Sequence, residues 1–235
     1  MRKSQKKYPI VLEFNGLPGS GKTTIAKQLI EELRGNGVCV SDYNLESKKY
    51  SKKLWIVGFF LNFPTSGKYM QLLWRVVRCS GVSKRKIKYW LASVGDFANK
   101  LHCYNNSNMD CIICDQGIMQ EILSVVHVSE CNVKPYFALM QFLHKIFPTF
   151  VGVNMEINVD RATKQVMERT NGRSPVDGLE PEKARDIQQK EADNLTKIRD
   201  AMYCDQIFVR YSTVADEVQQ IKEYMKQTAQ ISQLK

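Results

Sequence analysis

The sequence predicts a three-layer α/β domain, with a parallel sheet covered by helices on both faces. Three observations lead there. Short apolar runs alternate with amphipathic helical stretches along nearly all of the 235 residues. The first run feeds a glycine-rich turn and then a helix. A later run, Cys111-Ile112-Ile113-Cys114, ends in an acid, Asp115.

The first unit organises the rest. Ile10, Val11, Leu12 and Phe14 read as a buried strand, and Ile25, Leu29, Ile30 and Leu33 recur at helical spacing before a stop at Gly35 and Gly37. Between them lies Gly16-Leu17-Pro18-Gly19-Ser20-Gly21-Lys22-Thr23, which fits G-x-x-x-x-G-K-[ST] at every fixed position and continues into Thr24. Glycines let successive N–H groups converge on one point and keep side chains out of a phosphate's way. The helix that follows adds its positive dipole end. Lys22 is expected to reach the β- and γ-phosphates of a nucleoside triphosphate, staying solvated until they arrive, and Thr23 to ligate Mg²⁺. Asp115, at the end of its strand, is the matching acid for the same metal.

A second strand is expected at Val38-Cys39-Val40, ending near Asp42. Helices are expected over Ser51–Phe63, Ser66–Cys79 and Ser83–His102, separated by Pro64 and by Ser80-Gly81, with a turn at 105–108. Further helices fit Ile118–Val126, Pro135–Phe147, Asp160–Thr170 and Glu182–Met202, the last with Ala184, Ile187, Leu195 and Ile198 on one side. Strands fit Phe150–Met155 and Ile207–Val209, and a closing helix carries Val214, Val218, Ile221 and Tyr224.

Composition narrows the class. The length suits one domain with a full core. Seven irregularly spaced cysteines read as buried reduced thiols of a cytoplasmic protein. Cys111 and Cys114 sit three apart on a strand and so face opposite ways, which spoils a metal or redox pair. No secretory signal is visible, and the longest apolar run outside the first strand, Leu54–Leu61, is too short to span a bilayer. The net charge of +10 is concentrated: Lys48 to Lys100 holds twelve basic residues against the single acid Asp96.

The order of phosphate loop, acid after the second strand, helical insert, strand ending in Asp and arginine-bearing loop resembles the thymidylate kinase-like group of P-loop kinases, which includes the nucleoside monophosphate and deoxynucleoside kinases. The resemblance runs from about Ile10 to Tyr224. It implies a P-loop NTPase fold with a parallel sheet of about five strands, ATP with Mg²⁺, and a small acceptor bound beneath a helical insert at 48–109. It also implies a lid loop at 169–181, whose Arg169 and Arg173 would clamp the transferring phosphoryl group, a reading preferred to solvated loop arginines. Asp42 matches the acid that serves the acceptor's hydroxyl, and equally suits a turn that ends a strand. Tyr211-Ser212 falls where that group folds a loop around adenine. Gln116 stands where thymidylate kinases follow the strand-end Asp with Arg, and Asp42 lacks a following proline. The acceptor, whether nucleotide, nucleoside or sugar-like, therefore stays open.

The basic insert has three readings: a solvated lysine face over an aromatic core, an electropositive mouth for an anionic acceptor, or a dock for an acidic membrane or polymer. The mouth is preferred to the membrane, and no nucleic-acid motif is present. His102, His127 and His144 lack ligand spacing and read as structural. The expected activity is transfer of the γ-phosphoryl of ATP to a small acceptor. The alternative is a P-loop NTPase whose hydrolysis drives a conformational switch or a partner interaction, although the guanine-reading N-K-x-D is absent. The oligomeric state stays open, a homodimer included.

Overall fold

The computed structural model describes residues 9–43, 60, 62–79, 81–106, 108–126, 133–169, 176, 178–200 and 205–227. Their elements follow in chain order as β1 (Ile10–Asn15), α1 (Lys22–Gly35), β2 (Val40–Asp42), α2 (Phe63–Cys79), α3 (Lys84–Asn106), β3 (Cys111–Cys114), α4 (Ile118–Val126) and α5 (Val133–Ile146). The second half continues with β4 (Phe150–Glu156), α6 (Val159–Met167), α7 (Pro181–Asp200), β5 (Asp205–Arg210) and α8 (Val214–Gln227).

The five strands form one parallel sheet in the order β2-β3-β1-β4-β5. The pleat of β1 sorts its side chains between two cores. Ile10, Leu12 and Phe14 join Ile25, Leu29 and Leu33 of α1 and Val218 and Ile221 of α8 on one face. Val11 joins Tyr69, Leu73, Phe97 and Leu139 from the insert and α5 on the other. Each such fully buried aliphatic side chain contributes about 1.5–3 kcal/mol. The three layers and the parallel sheet are those expected.

Cys111 belongs to the first core and Cys114 to the second, so the pair does face opposite ways. Both thiols are free and buried, and burial pushes both up in pKa. Among the described residues no group of three metal-ligating side chains comes together, and no helix is long and apolar enough to cross a membrane.

Several boundaries differ from expectation for local reasons. β2 starts at Val40 because the Val38 amide closes α1 instead, donating to the Leu33 carbonyl at 3.0 Å. Pro64 opens α2, as a proline in a first helical turn can, since the N–H it lacks would have no partner there. Asn105 and Asn106 belong to α3 and not to a turn. The helix expected over 51–63 lies almost wholly outside the described residues. Phe60 and Phe63 are exposed, at 67% and 54%, so the aromatic-core reading of the insert does not extend to them.

α2 and α3 run antiparallel and lock through aromatic contacts. Tyr69 stacks on Phe97 with centroids 4.0 Å apart, and Trp90 Nε1 donates to the Met70 carbonyl at 3.2 Å. This hairpin covers the face of the sheet that bears Val11.

Candidate active site

The loop between β1 and α1 closes tightly on itself. The Ser20 amide donates to the Leu17 carbonyl at 3.1 Å, and Gly21, in the left-handed region, is the N-cap of α1 with no side-chain cap. The first-turn amides of α1 therefore have no capping side chain on them. Gly19 must be glycine on two counts: its φ is 92°, and a Cβ there would lie 2.5 Å from the Ala162 carbonyl oxygen of α6.

Lys22 is folded back into this loop and is not solvated as expected. Its Nζ donates to the carbonyl oxygens of Gly16 at 2.7 Å and Leu17 at 2.8 Å, with Ser20 Oγ at 3.4 Å. Those acceptors replace water, which is why the ammonium can be buried. Burial draws its pKa down to about 8; the nearby Glu191 carboxylate opposes this, Arg169 adds to it, and Asp115 opposes it. Lys22, Glu191, Arg169 and Asp115 thus share one electrostatic neighbourhood.

Asp115 leaves the end of β3 beside β1, where Cys114 pairs in register with Glu13. Its Oδ1 is buried without a hydrogen-bond partner among the protein atoms. Thr23 is exposed in the first turn of α1. A hydroxyl and an orphaned carboxylate oxygen at the same edge of the sheet suit a cation that takes oxygen ligands. Asp42 ends β2, half-buried, one strand beyond β3. Arg169 is exposed just after α6, and Arg173 lies outside the described residues. Of the loop at 169–181, Val176 is buried against Val166 and Ala184, which pins that part of it.

Two groups of residues escaped the sequence reading. α7 buries a polar stripe beside its expected apolar residues: Gln188, Glu191 and Asn194 are buried along with Ala184 and Ile198, and Gln188 Nε2 donates to the Pro18 carbonyl at 3.0 Å. Their spacing of three was the available signal. The second group lies beneath the insert. Lys100 Nζ is 2.6 Å from Asp96 Oδ2 and 3.1 Å from Glu121 Oε1. The Tyr43 hydroxyl donates to Asp96 Oδ1 at 2.8 Å, and the Ser93 hydroxyl to Glu121 Oε2 at 2.8 Å. Glu13, on β1, completes this set and borders a cavity of about 10 Å³ with Tyr43, Lys100 and Cys114. Burial pushes Glu13 and Glu121 up in pKa.

At the far edge, Tyr211 follows β5, with the Arg161 guanidinium 3.8 Å from its ring centroid and Gln165 Nε2 donating to its hydroxyl at 3.0 Å. This platform stands next to α6, the helix that Gly19 approaches.

Sheet order, loop and strand-end acid together define a three-layer α/β fold with the architecture of P-loop NTPases. A shikimate kinase from Bacteroides thetaiotaomicron superposes with a TM-score of 0.50 at 12% identity, over 92% of this chain and 98% of that one. An uncharacterized protein from Eubacterium ventriosum gives 0.41 at 16% identity, over 93% and 98%. No family model matches the sequence, and no curated protein matches it.

Proposed function

We propose that this protein is a phosphotransferase that moves the γ-phosphoryl of ATP to a small acceptor. The observation that carries the reading is the uncapped first turn of α1 facing a glycine loop, with the Lys22 ammonium already held inside it. Amides and ammonium together would take the β- and γ-phosphates, exchanging carbonyl oxygens for phosphate oxygens on Lys22.

Magnesium fits the residues present, since it keeps most of its water and needs only one or two protein oxygens beside the phosphates. Thr23 would supply a hydroxyl, and Asp115 its unpartnered oxygen. Bound there, the ion would neutralise charge on the transferring group. Arg169 and Arg173 would add positive charge from the loop after α6. Asp42 would orient the acceptor's hydroxyl and take its proton. Positioning and charge neutralisation carry such a reaction, which asks for little covalent chemistry from the protein.

The test is ATP consumption against a panel of hydroxyl-bearing nucleotides, nucleosides and sugars, run beside Lys22→Ala. One acceptor should raise consumption well above background in the wild type and fail to do so in the folded variant. Equal turnover in both proteins would sink the reading.

A further inference from the structure

A carboxylic acid in the middle of the central strand of a parallel sheet is costly, because burial penalises its charge and even its neutral form needs hydrogen-bond partners. Glu13 is 1% exposed in such a place. Its partners lie more than a hundred residues away. The Met119 amide donates to Oε1 at 2.5 Å, and the Ile118 amide adds a second bond. These are first-turn amides of α4, groups that a helix cannot satisfy by itself.

The room for this contact comes from Gly117. A Cβ on that residue would lie 1.7 Å from Glu13 Cδ and 2.1 Å from Oε2, inside the carboxyl group. Glu13 and Gly117 are therefore complementary, one supplying the carboxyl and the other the vacancy that admits it. Glu13 stands three residues before Gly16, where the phosphate loop begins, and Gly117 two residues after Asp115. An Asp just ahead of a helix ordinarily competes for the open amides. Here Glu13 occupies them, and Asp115 Oδ1 is left without a partner.

We infer that Glu13 is a positioning residue: lodged against Gly117, it caps α4 from across the sheet and holds the Asp115 carboxylate free and oriented toward the phosphate loop. The inference rests on the reading given under Proposed function, and it assigns to a β1 side chain the job of setting an acid that sits on another strand.

The experiment compares wild type, Glu13→Met, Glu13→Gln, Gly117→Ala and the double variant Glu13→Ala/Gly117→Ala. Met matches the bulk of Glu without an acceptor, whereas Gln keeps one. Binding of a fluorescent ATP analogue is measured in EDTA and across a Mg²⁺ titration, and amide exchange is followed at Ile118 and Met119. Glu13→Met and Gly117→Ala should each raise the Mg²⁺ half-point about tenfold and speed exchange, with affinity in EDTA within about twofold of wild type. Glu13→Gln should stay within about threefold of the wild-type half-point. The double variant, in which the clash is gone, should be no worse than Glu13→Met.

Faster exchange with an unmoved Mg²⁺ half-point would leave Glu13 a purely structural cap and overturn the inference. So would parallel losses in EDTA and in Mg²⁺, or multiplied effects in the double variant. A wild type whose nucleotide binding ignores Mg²⁺ would sink the phosphotransferase reading itself, and the inference with it. Wild-type stimulation that both Glu13→Met and Gly117→Ala preserve sinks the inference alone.

Discussion

Gln188, on α7, donates from Nε2 to the carbonyl oxygen of Pro18 in the phosphate loop, at 3.0 Å and out of contact with solvent. A helix contributed by the second half of the chain thereby holds the backbone of a loop built by the first twenty-odd residues. Glu191, one turn further along the same buried stripe, acts on Lys22 through its charge.

Replacing Gln188 by Leu keeps the bulk and removes the donor. A buried hydrogen bond of this kind is worth about 1 kcal/mol. The variant should unfold at slightly lower urea concentration and bind ATP severalfold more weakly, because the loop amides lose their fixed direction. Urea melts and nucleotide titration check the pair of effects. A stability loss with unchanged affinity would confine Gln188 to packing.

Asp115→Asn removes the charge and keeps the shape. A neutral amide holds a metal's water shell poorly. The Mg²⁺ concentration for half-maximal rate should rise about tenfold or more, with ATP affinity in EDTA unchanged. A Mg²⁺ curve that superposes on wild type would assign the acid elsewhere.

The cluster beneath the insert predicts an acid-sensitive fold. Burial works against ionising Asp96, but the Lys100 ammonium and the hydrogen bonds to it prevail, holding its pKa at about 2 against an ordinary 3.8. A folded value below the unfolded one gives stability that is fully present above pH 3.8 and is lost as the pH falls toward 2, on the order of 2 kcal/mol. Glu121 has the opposite sign: its raised pKa favours the fold below its ordinary 4.5, and that share fades as the pH rises. Urea stability measured from pH 5 down to pH 2 should fall steeply in the wild type. It should fall less in Asp96→Asn, which has nothing to protonate at that position.

Charge at the α2–α3 tip is expected to be distant from a compact acceptor. Tyr43, directly after Asp42, bonds Asp96, and Lys84 lies about 18 Å back along α3 at a rise of about 1.5 Å per residue. That exceeds the Debye length of about 8 Å at physiological salt. Reversing Lys84, Arg85 and Lys88 together should leave the KM of a small acceptor within about twofold. A larger rise would mean an acceptor long enough to reach the tip. Co-sedimentation with anionic vesicles, lost on reversal, would point to membrane docking by this tip, where Val82 and Leu91 are exposed among the cations.

The phosphate loop was legible because its chemistry is local: glycine conformations and one lysine are fixed by adjacent residues. The strands and most helices were legible for the same reason, through their periodicity. Glu13 was not, because its meaning depends on Gly117, more than a hundred residues later, and a single acid within Ile10–Phe14 reads as a lapse in an apolar strand. α7 was legible on its apolar side, where Ala184 and Ile198 are buried, but not on its polar one: Gln188 is buried because it meets the Pro18 carbonyl of the phosphate loop, 170 residues away in sequence. The Lys22 side chain was expected in water because lysines usually are; two inward-facing carbonyls of its own loop made burial cheaper.

The sheet order has a consequence for how the chain is made. β1 is emitted first but pairs with β3 and β4, beginning at Cys111 and Phe150, while its sequence neighbour β2 lies on the far side of β3. Of the described strands, a nascent chain of about a hundred residues would hold two that have no edge in common, and the loop lysine would have no settled scaffold. Such late closure slows folding and leaves an apolar strand available to wrong partners. On the ribosome, β1 waits for nearly a hundred further residues before its first partner strand follows it.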